Sequence, residues 1–430
     1  MDITLRPARI CGTIDISGSK SHTIRALLIA LFANGVSTLH NALDSQDTQA
    51  CIELCRRLGA RITFKTDIPV PTLVIDSTAI ASEKEEITID CANSGTTLYL
   101  ASAMCAAGCT SKSIRFSGDE QLLKRPIGPL LESLRDLGAT IEPKDSTTIP
   151  FTIHGPLDGG RTSIECRTSQ YLSALLLACP MAQSDSTIEV PLLNEKPYVK
   201  MTQYWLEKQK MDYSYNDELS LFHIKGNQSY KPFEEHIGGD YSSATFFFCA
   251  AAITGGTITV NGLDRSDPQG DKAVLSVLEQ MGCTVEWRGS GVTLNGSQRL
   301  KAGEFDLNDI PDALPALAVA SCFADGETKL YNVKQARLKE TDRIATMAHC
   351  INELGGSAVE LDDGLEIHPV ESFTAKEIDG CNDHRIAMSM ALASLRSAGS
   401  LTIRGTQAAA VTFPTFFELL AKVSVSNEED

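Results

Sequence analysis

The chain has 430 residues, a net charge of −17 and 43% hydrophobic residues. This length suggests two or three domains, and the composition is typical of a globular protein rather than a disordered one. The acidic balance argues against non-specific binding to nucleic acid or to anionic lipid, because that binding requires a basic surface.

Targeting signals, disulfides and metal sites are also not expected. The apolar runs fall short of the roughly 18 to 20 residues that span a membrane, and the first segment, MDITLRPARI, lacks the apolar region of a signal peptide. Thirteen cysteines, an odd number without a CxxC pair, are typical of free thiols in a reducing compartment. The eight histidines show no metal-ligand spacing. We therefore expect a cytoplasmic protein without a metal.

Six similar segments follow one another along the chain. Each has a polar start, an Ala- or Leu-rich helix and a short β-branched strand, and the starts are Lys20, Asn93, Ser169, Ser242, Pro311 and Asn382. Their spacings of 73, 76, 73, 69 and 71 residues exceed the period of solenoid repeats. Most are followed by a second amphipathic helix that closes on a glycine, as in LLESLRDLGATI. The pattern predicts six β-α-β-α-β-β repeats in two compact α/β domains of three repeats each.

The domain boundary is expected near the polar segment GNQSYKPFEEHIGGD, between the third and fourth repeats. The first strand, ITLRP, precedes the first repeat and could pair with the last repeats, which would make one domain discontinuous. We therefore predict one domain formed by residues 1–19 and 238–430, and a second formed by residues 20–237.

Polar residues capable of chemistry are concentrated at the starts of the repeat helices. The first helical turn exposes unpaired N–H groups and a partial positive charge, so it can bind phosphate or carboxylate. Each Ser, Thr, Asn or Asp there could equally be a simple N-cap, but six such starts with several basic residues favour an anion site. The segment GSKS lacks P-loop spacing, so nucleotide hydrolysis is not expected, and Lys20, Ser21 and Arg25 remain as candidates.

Two polar segments lie in the second half of the chain. LKETDR places Lys339 and Arg343 four residues apart with Glu340 between them, and NDHR places Arg385 just inside another apolar helix. A solvated, charged helix start would explain either segment equally well. Asp312 precedes a strongly apolar helix, where it could be a simple N-cap without a role in catalysis.

These motifs together carry a resemblance to a known family. GSKSHTIRALLIA, NSGTT, LKRPIGPLLESL, TSQYLSALLLA, KPYV, RLKETDRI and NDHRIAM occur in the order found in EPSP synthases, and the chain resembles this family from residue 1 to about 421. The resemblance implies two inverse αβα domains with the active site in the interdomain cleft. It implies transfer of the enolpyruvyl group of phosphoenolpyruvate to the 5-hydroxyl of 3-phosphoshikimate, with no cofactor, and competition by glyphosate.

The resemblance also implies roles for individual residues. Catalysis would involve Asp312 as base at the 5-hydroxyl, Glu340 as proton donor and acceptor at the methylene carbon, and Lys20 in contact with both substrates. The residues implied to bind 3-phosphoshikimate are Lys20, Ser21, Arg25, Thr168, Ser169, Gln170, Asp312, Gln335 and Lys339. Those implied to bind phosphoenolpyruvate are Lys20, Asn93, Gly95, Arg125, Gln170, Arg343 and Arg385. Two carboxylates in different environments suit a reaction that adds one proton and removes another.

Four positions depart from the family pattern. Tyr99 stands where an arginine is usual, Glu195 replaces a serine before KPY, Gln335 replaces an asparagine-like residue, and Val411 replaces a lysine. Glu195 would repel a substrate phosphate unless it points away. A non-catalytic ligand-binding protein of the same family and a UDP-N-acetylglucosamine 1-carboxyvinyltransferase remain as alternatives. Small anionic substrates and a monomer are expected.

Overall fold

The structure is a computed structural model that describes residues 1–78, 86–109 and 113–426. Within these residues the α-helices are α1 Lys20–Leu31, α2 Gln46–Arg57, α3 Gly95–Gly108, α4 Gly128–Asp136, α5 Ser169–Ala178, α6 Lys196–Lys208, α7 Tyr241–Thr254, α8 Ala273–Gln280, α9 Leu314–Ser321, α10 Arg343–Glu353, α11 His384–Ser394 and α12 Phe416–Val423. Short 3₁₀ turns cover Leu122–Lys124, Cys179–Met181, Gly270–Lys272, Pro311–Ala313, Lys334–Leu338 and Thr406–Val411.

The strands are short and are grouped into small sheets. The first half of the chain contributes β1 Ile3–Leu5, β2 Arg9–Asp15, β3 Val36–His40, β4 Arg61–Lys65, β5 Thr72–Asp76, β6 Glu86–Asp90, β7 Ser113–Ser117, β8 Thr140–Glu142, β9 Phe151–His154, β10 Gly160–Cys166, β11 Ser186–Leu193, β12 Tyr213–Tyr215 and β13 Leu221–Ile224. The second half contributes β14 Glu234–His236, β15 Thr257–Asn261, β16 Thr284–Arg288, β17 Gly291–Asn295, β18 Glu304–Asp306, β19 Thr328–Tyr331, β20 Ser357–Leu361, β21 Gly364–His368, β22 Glu377–Asp379, β23 Leu401–Arg404 and β24 Ser424–Val425.

The second repeat shows the pattern that the third and fifth repeats share. Strand β6 leads into α3, and the following strand β7 pairs in parallel with β6. After α4, strands β8 and β9 complete an antiparallel extension in the order β6-β7-β9-β8. The same order recurs in β10-β11-β13-β12 and in β18-β19-β21-β20. The predicted β-α-β-α-β-β repeat is therefore confirmed.

The first and fourth repeats take their first strand from elsewhere in the chain. Strand β14 pairs in parallel with β3, although the two are separated by almost three repeats. Strand β2 precedes α1 in sequence but pairs in parallel with β15 of the fourth repeat. Strand β1 pairs with β23 of the last repeat, as the sequence suggested for ITLRP.

The chain folds into two compact units, each with its own core. One consists of Met1–Ser17 and Gly238–Asp430, and the other of Gly18–Ile237. We call them the discontinuous unit and the continuous unit. In the discontinuous unit the core is centred on α7, whose three consecutive phenylalanines are all buried because the helix is apolar on every side. In the continuous unit α1, α3 and α5 occupy the equivalent buried positions. The expected cleft site stays a prediction.

Most of the cysteines lie inside the two units, and the helices are short. All thirteen cysteines are free, and eleven of them are buried, including the pairs Cys51/Cys55 and Cys105/Cys109 that the sequence placed inside apolar helices. None of the helices formed by the described residues is both apolar enough and long enough to span a bilayer.

Candidate active site

The polar residues that precede the repeat helices act as N-caps in five of six cases. The capping side chains, each of which accepts a hydrogen bond from a backbone N–H of its helix, are Ser19, Ser94, Thr168, Asp240 and Asp383. The exception is α9, the helix of the fifth repeat, which has no side-chain cap. Asp312 therefore does not have the capping role that its position allowed. Capping thus explains Thr168 but not the neighbouring candidates Lys20, Ser21, Asn93 and Ser169.

Lys20, the first residue of α1, is held by a buried acid. Its Nζ lies 3.0 Å from Oδ2 of Asp47, which is in the first turn of α2. Ser45 and Thr48 form a capping box at the start of α2, and this fixes the turn that carries Asp47. The ammonium group is therefore positioned at the start of α1 by the neighbouring helix.

Arg25 lies one turn further along α1 and is 1% exposed. Its guanidinium donates to Thr202 Oγ1 at 2.9 Å, to Ser173 Oγ at 3.4 Å, and to the backbone oxygens of Ser21 and Tyr198. Burial lowers its pKa to about 10, so the group stays charged at neutral pH. No carboxylate forms an ion pair with it in residues 1–78, 86–109 and 113–426. A buried cation with neutral partners is suited to an anionic ligand.

The start of α5 carries a concentration of hydrogen-bond donors. Oε2 of Glu195 accepts from Thr168 Oγ1 at 3.1 Å, from Ser169 N at 3.0 Å and from Ser169 Oγ at 2.8 Å. These bonds show that the Glu195 carboxylate points at the donors rather than away from them. The residue is 1% exposed. The next residue, Gln170, has a buried Oε1 for which the described part of the chain offers no hydrogen-bond partner.

Gly95 and Arg125 are in direct contact. A Cβ on Gly95, the first residue of α3, would overlap Nη1 of Arg125. The backbone that carries Arg125 is fixed by two phenols, because Tyr99 and Tyr171 both donate to the carbonyl oxygen of Pro126, at 3.2 and 2.6 Å. Tyr99, which stands where the family usually has an arginine, thus anchors the segment next to a candidate cation.

Asn93 lies just before the Ser94 cap of α3. Its Nδ2 donates to Asp119 Oδ2 and to Gln121 Oε1, both at 2.6 Å. These bonds leave the side-chain oxygen buried, with no hydrogen-bond partner in the described ranges. That oxygen is available to a hydroxyl or a water at the start of α3.

In the discontinuous unit three carboxylates surround one arginine. Arg343, the first residue of α10, is 1% exposed. Its Nε donates to Asp383 Oδ2 at 2.9 Å, its Nη1 donates to Asp312 Oδ1 at 3.0 Å, and its Nη2 forms a short bond to Glu340. Asp312 and Glu340 thus share one guanidinium, each through a different nitrogen.

Arg385, in the first turn of α11, holds Asp312 from the other side. Its Nη2 donates to Asp312 Oδ2 at 3.0 Å and to Ser242 Oγ at 2.7 Å, while Nη1 donates to the Asp312 carbonyl. Lys339 Nζ lies 3.7 Å from Asp312 Oδ1. Nε of Arg385 is buried and has no hydrogen-bond partner among the described residues, so it remains available as a donor.

Burial and charge set the protonation states of this cluster. Burial alone would lower the pKa of Arg343, but Asp383, Glu340 and Asp312 hold it above its ordinary value. Burial opposes ionisation of Asp383, yet the charge of Arg343 outweighs it and leaves this pKa below its ordinary value. Burial lowers the pKa of His384 to about 3, so its imidazole is neutral at pH 7.

Known proteins that are similar to this chain belong to one family. The family model of EPSP synthase (3-phosphoshikimate 1-carboxyvinyltransferase) matches residues 5–420. The chain belongs to the EPSP synthase family. A protein of Acetivibrio thermocellus named 3-phosphoshikimate 1-carboxyvinyltransferase is 43% identical, with 98% of each chain covered. One of the same name from Ruminiclostridium cellulolyticum is also 43% identical, with 97% of each chain covered.

A solved structure leads to the same family. The EPSP synthase from Acinetobacter baumannii aligns with a TM-score of 0.82 at 27% identity, covering 99% of this chain and 98% of that one. The names of these relatives give no support to the two alternatives, a non-catalytic binding protein and a UDP-N-acetylglucosamine transferase.

Most of the family motif KETDR lies before helix α10, not within the helix start that its spacing suggested. Helix α10 begins only at Arg343, and Lys339 lies in extended backbone after the 3₁₀ turn Lys334–Leu338. Arg343 is buried, so the interpretation of a solvated, charged helix start is wrong for this residue. Gln335 lies in the 3₁₀ turn, and its side-chain amide donates to the Asn308 carbonyl at 3.0 Å.

Sequence reasoning missed two acids, Asp47 and Asp383. Both are buried and each fixes a candidate cation, Lys20 or Arg343. The signal for Asp383 was present, because it lies inside the family motif NDHR. For Asp47 the signal was an acid within a capping box, which is common in helices without any function.

Among the residues that the structure describes, two groups of side chains have ligand atoms close enough together to hold a metal ion. One consists of Glu327, Glu366 and His368, and the other of Glu340, Asp383 and His384. In the second group both carboxylates already accept hydrogen bonds from Arg343, so a divalent cation would have to compete with a buried guanidinium.

Proposed function

We propose that this chain transfers the enolpyruvyl group of phosphoenolpyruvate to the 5-hydroxyl of 3-phosphoshikimate and releases phosphate. The observation that carries the proposal is the pair of carboxylates, Asp312 and Glu340, on one buried guanidinium, that of Arg343. The reaction needs one group that takes a proton from a hydroxyl and another that delivers a proton to carbon. Family membership supports the same reaction.

In the addition step Asp312 accepts the proton of the 5-hydroxyl as that oxygen attacks C2 of phosphoenolpyruvate. Glu340, protonated at this stage, delivers its proton to C3. The bond between C2 and C3 becomes single, and C2 becomes the centre of a tetrahedral intermediate. In the elimination step the Glu340 carboxylate takes a proton back from C3. The bond to phosphate breaks, and the leaving phosphate takes the proton held by Asp312. Both carboxylates return to their starting states.

The cations act on the charges of both substrates. Arg343 and Arg385 would exchange part of their contacts with Asp312 for the carboxylate and phosphate of phosphoenolpyruvate, to which the planar guanidinium is suited. Arg125, Asn93 and Gly95 would complete this subsite. Lys20 would contact both substrates.

The acceptor would be bound by three groups of residues. Arg25 and Ser21 would hold its ring and carboxylate, because a buried cation without a carboxylate partner requires an anion. Thr168 and Ser169 would hold the 3-phosphate through hydroxyl and backbone donors. Gln170 would lie against the ring. Asp312, Lys339 and Gln335 would bind near the 5-hydroxyl.

We further propose that the protein works as a monomer in the cytoplasm. Thirteen free thiols suit a reducing compartment. A single chain carries all the proposed residues, so the reaction does not require a second copy.

Phosphate release by the purified protein tests the proposed function. With both substrates we expect release that stops when either is omitted. Absence of phosphate release, while 3-phosphoshikimate still protects the protein from heat, would instead establish a binding protein. Turnover with UDP-N-acetylglucosamine in place of 3-phosphoshikimate would establish the sister transferase.

Replacing the proposed base tests the mechanism separately. Asp312→Asn should lower kcat by roughly 10²- to 10⁴-fold, the usual contribution of a general base, while calorimetry shows 3-phosphoshikimate still bound. Asp362→Asn is the matched control, because Asp362 is an exposed acid of the same unit paired with a surface lysine. Unchanged turnover in Asp312→Asn would remove this residue as the base.

A further inference from the structure

Glu195 is held in an unusual position by its backbone and by its carboxylate. It is the N-cap residue of α6 and has left-handed backbone angles, φ 58° and ψ 42°, which non-glycine residues rarely adopt. Its side chain does not cap α6. Instead the carboxylate reaches the start of α5, where one oxygen accepts three hydrogen bonds from Thr168 and Ser169. A strained conformation persists where surrounding contacts require it.

The donors that hold Glu195 are the donors expected to hold an anion. Two hydroxyls and a backbone N–H converge at the N-terminus of a ten-residue helix, where the helix dipole also favours negative charge. Under the proposed function the same donors bind the 3-phosphate of the acceptor. A carboxylate and a phosphate cannot both use them, because each hydroxyl and the N–H has one proton to donate.

We propose that Glu195 is a specificity-determining residue whose carboxylate competes with the acceptor's phosphate for the donors of Thr168 and Ser169. The inference rests on the proposed function, since it assigns the phosphate to these donors. The acceptor binds by displacing the carboxylate, so the free energy of phosphate binding is reduced by the bonds that Glu195 gives up. The enzyme consequently favours the phosphorylated acceptor over unphosphorylated shikimate less strongly than it would with a small hydroxyl residue at this position.

Steady-state kinetics of three proteins test this competition: the wild type, Glu195→Ser and Glu195→Gln. In Glu195→Ser we expect the KM for 3-phosphoshikimate to fall by roughly tenfold, with kcat and the KM for phosphoenolpyruvate within about twofold of wild type. The kcat/KM ratio of 3-phosphoshikimate to shikimate should rise by the same factor. Glu195→Gln should shift in the same direction by less, because its amide oxygen still accepts hydrogen bonds without carrying a charge.

Glu189→Ser is the matched control, because it makes the same substitution at an exposed position of β11 in the same unit. It should leave both KM values unchanged. If Glu195 served only to join the starts of α5 and α6, then Glu195→Ser would lower the melting temperature and leave the KM for 3-phosphoshikimate where it was. That result, or a higher KM, would overturn the inference.

Calorimetry with inorganic phosphate separates this inference from the proposed function. If the wild type released no phosphate from its substrates, the proposed function would fail, but the competition could still be measured as binding of inorganic phosphate. Tighter binding by Glu195→Ser than by the wild type would support the inference. Equal binding would overturn it, whatever the turnover. Should Glu195→Ser fail to fold, the comparison of Glu195→Gln with wild type decides.

Discussion

At the scale of single residues, the absence of a side chain at Gly95 determines where Arg125 can lie. The guanidinium occupies the space that a Cβ on this glycine would need. The backbone next to Arg125 is fixed, because Tyr99 and Tyr171 both donate hydrogen bonds to the carbonyl oxygen of Pro126. A larger residue at position 95 would therefore move the charged tip of Arg125 rather than the backbone.

Gly95→Ala should raise the KM for phosphoenolpyruvate several-fold and leave the KM for 3-phosphoshikimate nearly unchanged. The stability should change little, because the overlapping atom is the far end of a flexible side chain. Steady-state kinetics with each substrate varied in turn measure both values. Gly326→Ala is the control, since among the described residues its new Cβ would meet Ala302 alone, at 3.4 Å. An unchanged KM for phosphoenolpyruvate would place Arg125 outside that substrate's subsite.

Residue types indicated the candidate cations more readily than the acids that hold them. Lys20 and Arg25 lie on one helix, so their place in its first two turns could be predicted from the sequence alone. The acids Asp47 and Asp383 lie 27 and 40 residues from the cations they hold, Lys20 and Arg343. Pairing over such distances leaves no local pattern. The position of Glu195 could not be predicted either, because it depends on two helix starts meeting in space.

At the scale of elements, the 70-residue period predicted the repeats but not how each repeat is completed. Strand β14 completes the first sheet and β2 completes the sheet of the fourth repeat, and both come from outside the repeat that they join. Parallel pairing of distant segments has no sequence signature of its own. The helix starts carry more information, as α11 shows. Its first residues combine the Asp383 cap, a neutral buried histidine and the cation Arg385.

His384 should make stability depend on pH. Burial lowers its folded pKa to about 3, whereas an unfolded histidine titrates near its ordinary value of 6.5. Below that value the unfolded state takes up a proton that the folded state does not, so the free energy of unfolding falls as the pH falls toward 3. By pH 5 this group should cost about 2 kcal/mol relative to pH 7.

Urea unfolding at pH 7 and pH 5 measures that difference. His384→Gln should reduce the loss by about 2 kcal/mol, because glutamine does not titrate. His349→Gln is the control and should leave this loss of stability unchanged, since His349 is an exposed residue of α10 in the same unit. An equal loss of stability in His384→Gln and in the wild type would mean that this histidine is protonated in the folded state.

At the scale of the whole molecule, the net charge of −17 and the proposed anionic substrates are compatible because the relevant cations are buried. Arg25, Arg125, Arg343 and Arg385 are each less than 8% exposed. Salt screens buried charges little, and distant surface acids act on them only weakly. The acidic excess argues against large anionic partners, nucleic acid and anionic membranes, but it carries no information about a site for small anions.

The thirteen cysteines allow a last prediction about the folded molecule as a whole. Only thiolates react readily with disulfide reagents, and burial raises the pKa of thiols such as Cys166 and Cys179 to about 12. Native protein at neutral pH should therefore react promptly only at exposed Cys11 and partly exposed Cys381. Cys11→Ser should remove one fast thiol. Protein purified without reductant and unfolded in guanidinium should show all thirteen, and a smaller number would reveal a disulfide and contradict a reducing compartment.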